Sequence, residues 1–123
     1  MSNSGPGYAK HPEHRVDLKR GPANVQVRVN GETIADTANA IAVYESGYPV
    51  VYYIPRADVR MDRLVRTPHH TRCPFKGEAS YFNIIPNGAE NGVWTYEQPY
   101  DEVLQIKDHL AFYVTKVDAI VVT

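Results

Sequence analysis

From residue 25 onward the chain alternates. Val25, Val27 and Val29 are apolar while Gln26 and Arg28 between them are polar. A period of two marks a strand with one buried face, because successive side chains point to opposite sides of a sheet. Asn30 and Gly31 follow directly, a pair that accepts positive φ at both central positions of a tight hairpin turn. The return strand is expected over residues 32–36 and a third strand over 40–45, followed by a Ser46-Gly47-Tyr48-Pro49 turn. Residues 50–54 are apolar on both faces, which predicts a central strand. Pro55 ends that strand; residues 57–61 suit one helical turn with Asp58 as a local cap, and 64–65 a short strand closed by Pro68.

The second half repeats the theme. Residues 79–85 are an apolar, aromatic strand, 86–92 a loop rich in Asn and Gly, and 93–97 a strand expected to set Trp94 and Tyr96 on opposite faces. Residues 99–104 suit a loop or one helical turn, and 110–114 and 119–122 two more short strands. Short strands parted by turn residues, without any long run of helical periodicity, predict an all-β fold of antiparallel sheets with one or two short helical turns. The first 22 residues differ, carrying Gly5, Pro6, Gly7, Pro12, Gly21 and Pro22 with few large apolar side chains. Such a segment cannot offset its ordering entropy. The expected organisation is a flexible N-terminal arm over 1–22, docked loosely at most through Tyr8 and Val16, and a single β domain over 23–123.

Composition narrows the function classes. A length of 123 residues suits one domain. With 13 basic and 14 acidic residues the net charge is -1, which leaves no footprint for nucleic acid or an anionic membrane. The basic stretch 11–20 also holds Glu13 and Asp17 and reads as a solvated face. One cysteine excludes an intrachain disulfide and any multi-cysteine zinc site. No apolar run resembles a signal-peptide core or a membrane span, so the expected location is cytoplasmic. Nine tyrosines against three phenylalanines and one tryptophan suit sheet faces, and equally a pocket lined with hydroxyls.

Candidate chemistry concentrates in residues 71–85, where Cys73, Pro74, Lys76 and Gly77 make a tight turn just before the aromatic strand. A thiol becomes a nucleophile beside a cation, which Lys76, His69 or His70 would supply; alternatively Cys73 is a small buried hydrophobe and Lys76 a solvated turn residue. A metal at His69, His70, Cys73 and His109 is not expected, because adjacent histidines on an extended segment point to opposite faces. Nor is any other cofactor expected. Glu45, Tyr53, Asp58, Trp94 and Tyr96 would line a concave site around the turn if the sheet gathers them; otherwise the rings are core and the carboxylates cap turns. A phosphate-cradling glycine loop and a nucleophile-elbow serine are both missing from the sequence.

Four stretches then carry a resemblance: YESGYPVVYYIPRADV at 44–59, TRCPFKGEASYFNI at 71–84, VWTYEQP at 93–99 and HLAFY at 109–113. In this order they resemble the domain of unknown function 427 family, over about residue 25 to the end. The resemblance implies a compact β-tent, in which two antiparallel sheets lean together as in Mss4-like proteins and type B methionine sulfoxide reductases. Those relatives often bind zinc through two CxxC knuckles, which a chain with one cysteine cannot form. The family is sometimes labelled nucleotidyltransferase-like, yet this chain has no glycine–serine loop with paired aspartates. The family's recurring positions fall here on Glu45, Tyr53, Pro55, Asp58, Thr71, Cys73, Lys76, Gly77, Tyr81, Trp94, Tyr96 and Pro99. Phe82 departs from the tryptophan more usual in the family, and a smaller ring there is expected to enlarge or reshape the cavity.

Three functions are weighed from these residues. The first is a binder of a small polar or anionic ligand, with Glu45, Tyr53, Asp58, Cys73, Lys76, Tyr81, Trp94 and Tyr96 around it. The second is an enzyme using Cys73 or Lys76 as nucleophile or acid/base. The third is an interaction module whose strand edges pair with a partner or a second copy of the chain.

Overall fold

The computed structural model describes residues 3–86 and 88–123; Met1, Ser2 and Asn87, the last in the expected loop 86–92, lie outside the described residues. The fold is all-β, with three antiparallel sheets. A single helical turn, α1 (Gly7–Lys10), precedes β1 (Val16–Arg20), β2 (Val25–Val29), β3 (Glu32–Thr37), β4 (Ile41–Glu45) and β5 (Val51–Tyr53). Two 3₁₀ turns then lead into β6 (Leu64–Cys73), β7 (Gly77–Ile84), β8 (Val93–Tyr96), β9 (Leu110–Phe112) and β10 (Ala119–Val122). The sheets run β1-β4-β5, β10-β2-β3 and β6-β7-β8-β9. No helix of the described residues is long and apolar enough to cross a membrane.

The β2–β3 hairpin turns at Asn30 and Gly31 with φ of 53° and 78°, as their residue types dictate. The first and third sheets meet at one pair, Ile54 and Leu110, which exchange two backbone hydrogen bonds of 2.8 Å. Strand alternation then divides the interior. Phe82, Ile84 and Val93 face one core with Val25, Val27 and Ile34. Ala79, Tyr81 and Tyr96 face a second with Val43, Tyr53 and Ile106.

Several expectations need correction. Residues 1–22 were expected to form a flexible arm, yet β1 pairs with β4 along its whole length, from Val16↔Glu45 to Arg20↔Ile41. Val16, Leu18 and the intervening Asp17 alternate as a strand should, a five-residue signal diluted by the Gly and Pro around it. Pro68 does not end a strand: β6 continues through it with a register shift between Arg66 and His70, which accommodates a residue that has no N–H to donate. The turn expected at 57–61 divides into 3₁₀ turns Arg56–Asp58 and Met61–Arg63. Residues 50–54 narrow to β5, an edge of its own sheet rather than a centre. Trp94 and Tyr96, two apart on β8, share a face.

Upstream of β1 the chain crosses the Cys73–Gly77 turn. Gly7 donates its N–H to the Pro74 carbonyl at 2.9 Å, and the Tyr8 ring meets Phe75 edge-on at 5.0 Å. Ser4 donates to the Glu102 carboxylate, and the Gly5 N–H reaches its other oxygen at 3.0 Å. Burial opposes ionisation of Glu102, but these donors outweigh it and hold its carboxyl below the ordinary 4.5. A group with a depressed pKa in the docked state stabilises docking above its undocked pKa, and that contribution is lost as pH falls through the docked value. Acidification is therefore expected to shift the Gly5 amide resonance with a midpoint below 4.5, while the β1–β4 amides stay protected. A midpoint at or above 4.5 contradicts the tether.

Candidate functional site

The turn joining β6 to β7 builds one end of the site. Cys73 pairs with Gly77, leaving Pro74, Phe75 and Lys76 as the loop. Gly77 has φ of +127°, and a Cβ there would meet the Gln98 carbonyl at 3.3 Å, so the turn needs glycine. Phe75 is turned inward, while Lys76 reaches across to β4 and donates to Glu45 Oε1. The Lys76 and Glu45 side chains are only 9% and 11% exposed, which makes this a largely desolvated ion pair. Cys73 Sγ lies 3.8 Å from Lys76 Nζ. The second Glu45 oxygen is 2.8 Å from His14 Nε2, and the His14 ring stacks on Phe75 with centroids 3.8 Å apart.

Strand register builds the walls. On β7 and β8 the cross-strand pairs Tyr81↔Trp94 and Ala79↔Tyr96 place three rings on one face. Trp94 lies opposite Ala111 of β9, and the Tyr113 ring packs on the indole with centroids 4.5 Å apart. Tyr53, at the end of β5, accepts the Trp94 indole N–H at 3.2 Å. Tyr53, Tyr81, Trp94 and Tyr96 line a cleft of about 620 Å³ whose wall also includes Val43, Val51, Phe112 and Tyr113.

Hydroxyls supply most of the polar groups in the lining. Thr71 and Tyr81 share a hydrogen bond of 2.7 Å, and Tyr81 and Tyr113 one of 3.4 Å. Burial pushes the phenols of Tyr53 and Tyr96 far above their ordinary range. Burial, with the Tyr81 hydrogen bond, takes Tyr113 to about 12. All three therefore remain protonated donors at any physiological pH. The charged groups balance: one ammonium against one carboxylate.

Of the eight candidate residues, Glu45, Tyr53, Cys73, Lys76, Tyr81, Trp94 and Tyr96 line the cleft. Asp58 does not: it accepts the Thr37 hydroxyl at 2.7 Å and fixes the end of β3. Phe82 does not reshape the cavity, because alternation turns it to the opposite core, where the Arg66 guanidinium lies 5.1 Å from its ring centroid. The histidines weighed as metal ligands go separate ways. His69 packs on Tyr81, His70 contacts the Ala79 carbonyl, and His109 the Lys107 carbonyl. Among the described residues no cluster of three or more His, Cys, Asp or Glu side chains is placed to hold a metal ion.

Sequence reasoning missed His14, Phe75 and Tyr113. Tyr113 had a signal: it closes HLAFY two residues beyond Ala111, so strand alternation turns it to the same side. His14 had none, since its role depends on β1 crossing to β4.

With this geometry established, the comparison with known families is specific. The family described as a domain of unknown function (DUF427) matches residues 17–123. The chain belongs to the DUF427 family. Every cleft residue falls within the DUF427 match, whereas His14 and the segment crossing the turn precede it. No curated protein matches the chain.

Proposed function

We propose that this DUF427 domain is a cytoplasmic binder of a small polar or anionic molecule, held in the cleft beside the Cys73–Lys76 turn. The observation that carries the reading is convergence: seven residues from five strands and one turn, spread from Glu45 to Tyr96, line a single concavity. A cavity of about 620 Å³, mostly apolar and with a few placed polar groups, has the size and lining usual for small-molecule sites. Trp94, Tyr53 and Tyr96 form the walls, and Lys76 with the tyrosine hydroxyls supplies donors to an acceptor group on the ligand. Glu45 balances Lys76, so the pair positions a donor without adding net charge. A single cysteine with no disulfide partner supports the compartment.

The test is a metabolite screen by thermal shift on the full chain. A true ligand at a hundredfold its Kd is expected to stabilise the fold by about 2.7 kcal/mol. Trp94→Ala is expected to weaken the hit by roughly tenfold or more, since burying one large ring is worth ~1.5–3 kcal/mol. A blank screen, or a hit whose affinity ignores Trp94→Ala in a folded variant, overturns the reading. Covalent chemistry at Cys73 is the second reading, favoured by the 3.8 Å separation of Sγ from Lys76 Nζ on the cleft wall. For it, iodoacetamide must modify Cys73 faster than a free model thiol.

A further inference from the structure

A second, smaller cavity adjoins the cleft. It has a volume of about 180 Å³ and its far wall is Val25, Val27, Ile54, Ile120 and Val122. Val50, Val51, Phe112 and Val114 line both cavities, so the two are divided only by a shared apolar wall. Among the described residues, Tyr52 supplies the only polar side-chain atom of the smaller cavity's lining. Val114, at the shared wall, has 72% of its surface exposed, and Val122, in the smaller cavity, 38%.

The cleft also has a spare donor. Tyr96 is only 6% exposed and lines the cleft, yet its hydroxyl makes no hydrogen bond to any described residue. Burial keeps that phenol protonated, so it offers an O–H and lacks an acceptor. With no acceptor among the described residues, that hydroxyl is open to the cleft, where a ligand oxygen can accept it. The ammonium on the cleft wall, Lys76, is already balanced by Glu45, so a carboxylate in the cleft would enter as an unpaired charge between low-dielectric walls.

We propose that the ligand is a neutral carbonyl compound with an apolar tail, its oxygen accepting the Tyr96 hydroxyl and its tail passing Val51 and Val114 into the smaller cavity. This inference rests on the cleft being a small-molecule site and adds the ligand class and its direction. Walls that are branched aliphatic apart from Phe112 and Tyr52 suit a saturated chain.

Calorimetric titration of the full chain with linear primary amides, butanamide through decanamide, and with the matching n-alkanoates tests it. Affinity for the amides is expected to rise about fourfold with each added methylene until the smaller cavity is full, as ~0.8 kcal/mol per buried CH₂ converts. Each amide is expected to bind at least about tenfold tighter than its carboxylate at pH 7. Tyr96→Phe should weaken every amide by the same factor, roughly threefold to tenfold, leaving the slope intact. Val122→Asp, on edge strand β10, should flatten the rise for the longer members, with short members that do not reach it as the internal control. Val114→Asp repeats that test at a position open to solvent. A flat series in the wild type, a slope that survives both Asp variants, or a preference for carboxylates overturns the inference. If short amides bind and depend on Trp94 while the series stays flat, only the tail route falls and the binding function stands. If no amide binds while the metabolite screen yields hits, the ligand class is wrong; if both are blank, the binding function falls with it.

Discussion

Glu45→Leu is expected to destabilise the protein by about 3–5 kcal/mol, because it leaves the Lys76 ammonium without its partner in a largely desolvated site. The side chains of both partners are about one-tenth exposed, so neither is an ordinary surface charge. An exposed pair would change stability by about 1 kcal/mol or less. The substitution also removes the acceptor of His14, loosening the chain where it enters β1. For a domain of this size the drop in Tm is roughly 10–20 °C. The double variant Glu45→Leu with Lys76→Met should recover most of the loss, since replacing both charges with apolar groups of similar volume removes the desolvation cost together with the attraction. Chemical denaturation of the two single variants and the double variant measures the coupling directly. A loss under about 1 kcal/mol for Glu45→Leu would mean that water reaches the pair, and the cleft would then lack the desolvated donor that the binding function uses.

How much of this was legible in the sequence follows from which signals are local. The β2–β3 hairpin, the turn before β7 and the strands at 93–96 and 119–122 are written in alternation and in residues with special backbone freedom. The cleft itself is a long-range fact, yet it was partly readable because a buried strand face must present its alternate residues to something. Tyr81, Trp94 and Tyr96 share such a face, although two residues apart were first expected to oppose one another. Asp58 lies outside the cleft because a short carboxylate beside a turn satisfies the nearest hydroxyl, here Thr37. β1 failed because glycine and proline counted over twenty-two residues outweighed five that alternate. His14 and Phe75 went unread together, since both depend on the segment before β1 crossing the turn, where His14 reaches Glu45 and stacks on Phe75.

Phe75→Ala is accordingly the more informative second test, with an expected cost of about 3–5 kcal/mol. Its ring is 9% exposed and lies beneath the segment that precedes β1. Tyr8 meets it edge-on at 5.0 Å, His14 stacks on it at 3.8 Å, and a Cβ added to Gly7 would sit 2.7 Å from its ring. Such close approach by a backbone means the segment is shaped to this ring, so truncation leaves a void that the segment cannot fill by a small shift. The loss should not spread evenly. Amides of residues 5–14 should exchange at rates near those of a free peptide, while β7 and β8, whose hydrogen bonds do not involve the turn, keep their protection. Once His14 moves, Glu45 retains Lys76 alone, so the Lys76 wall of the cleft persists although its outer cover is gone. Ligand affinity should therefore fall less than stability does. If instead affinity vanishes while the β7–β8 amides remain protected, the segment before β1 is itself part of the binding surface and not only its support.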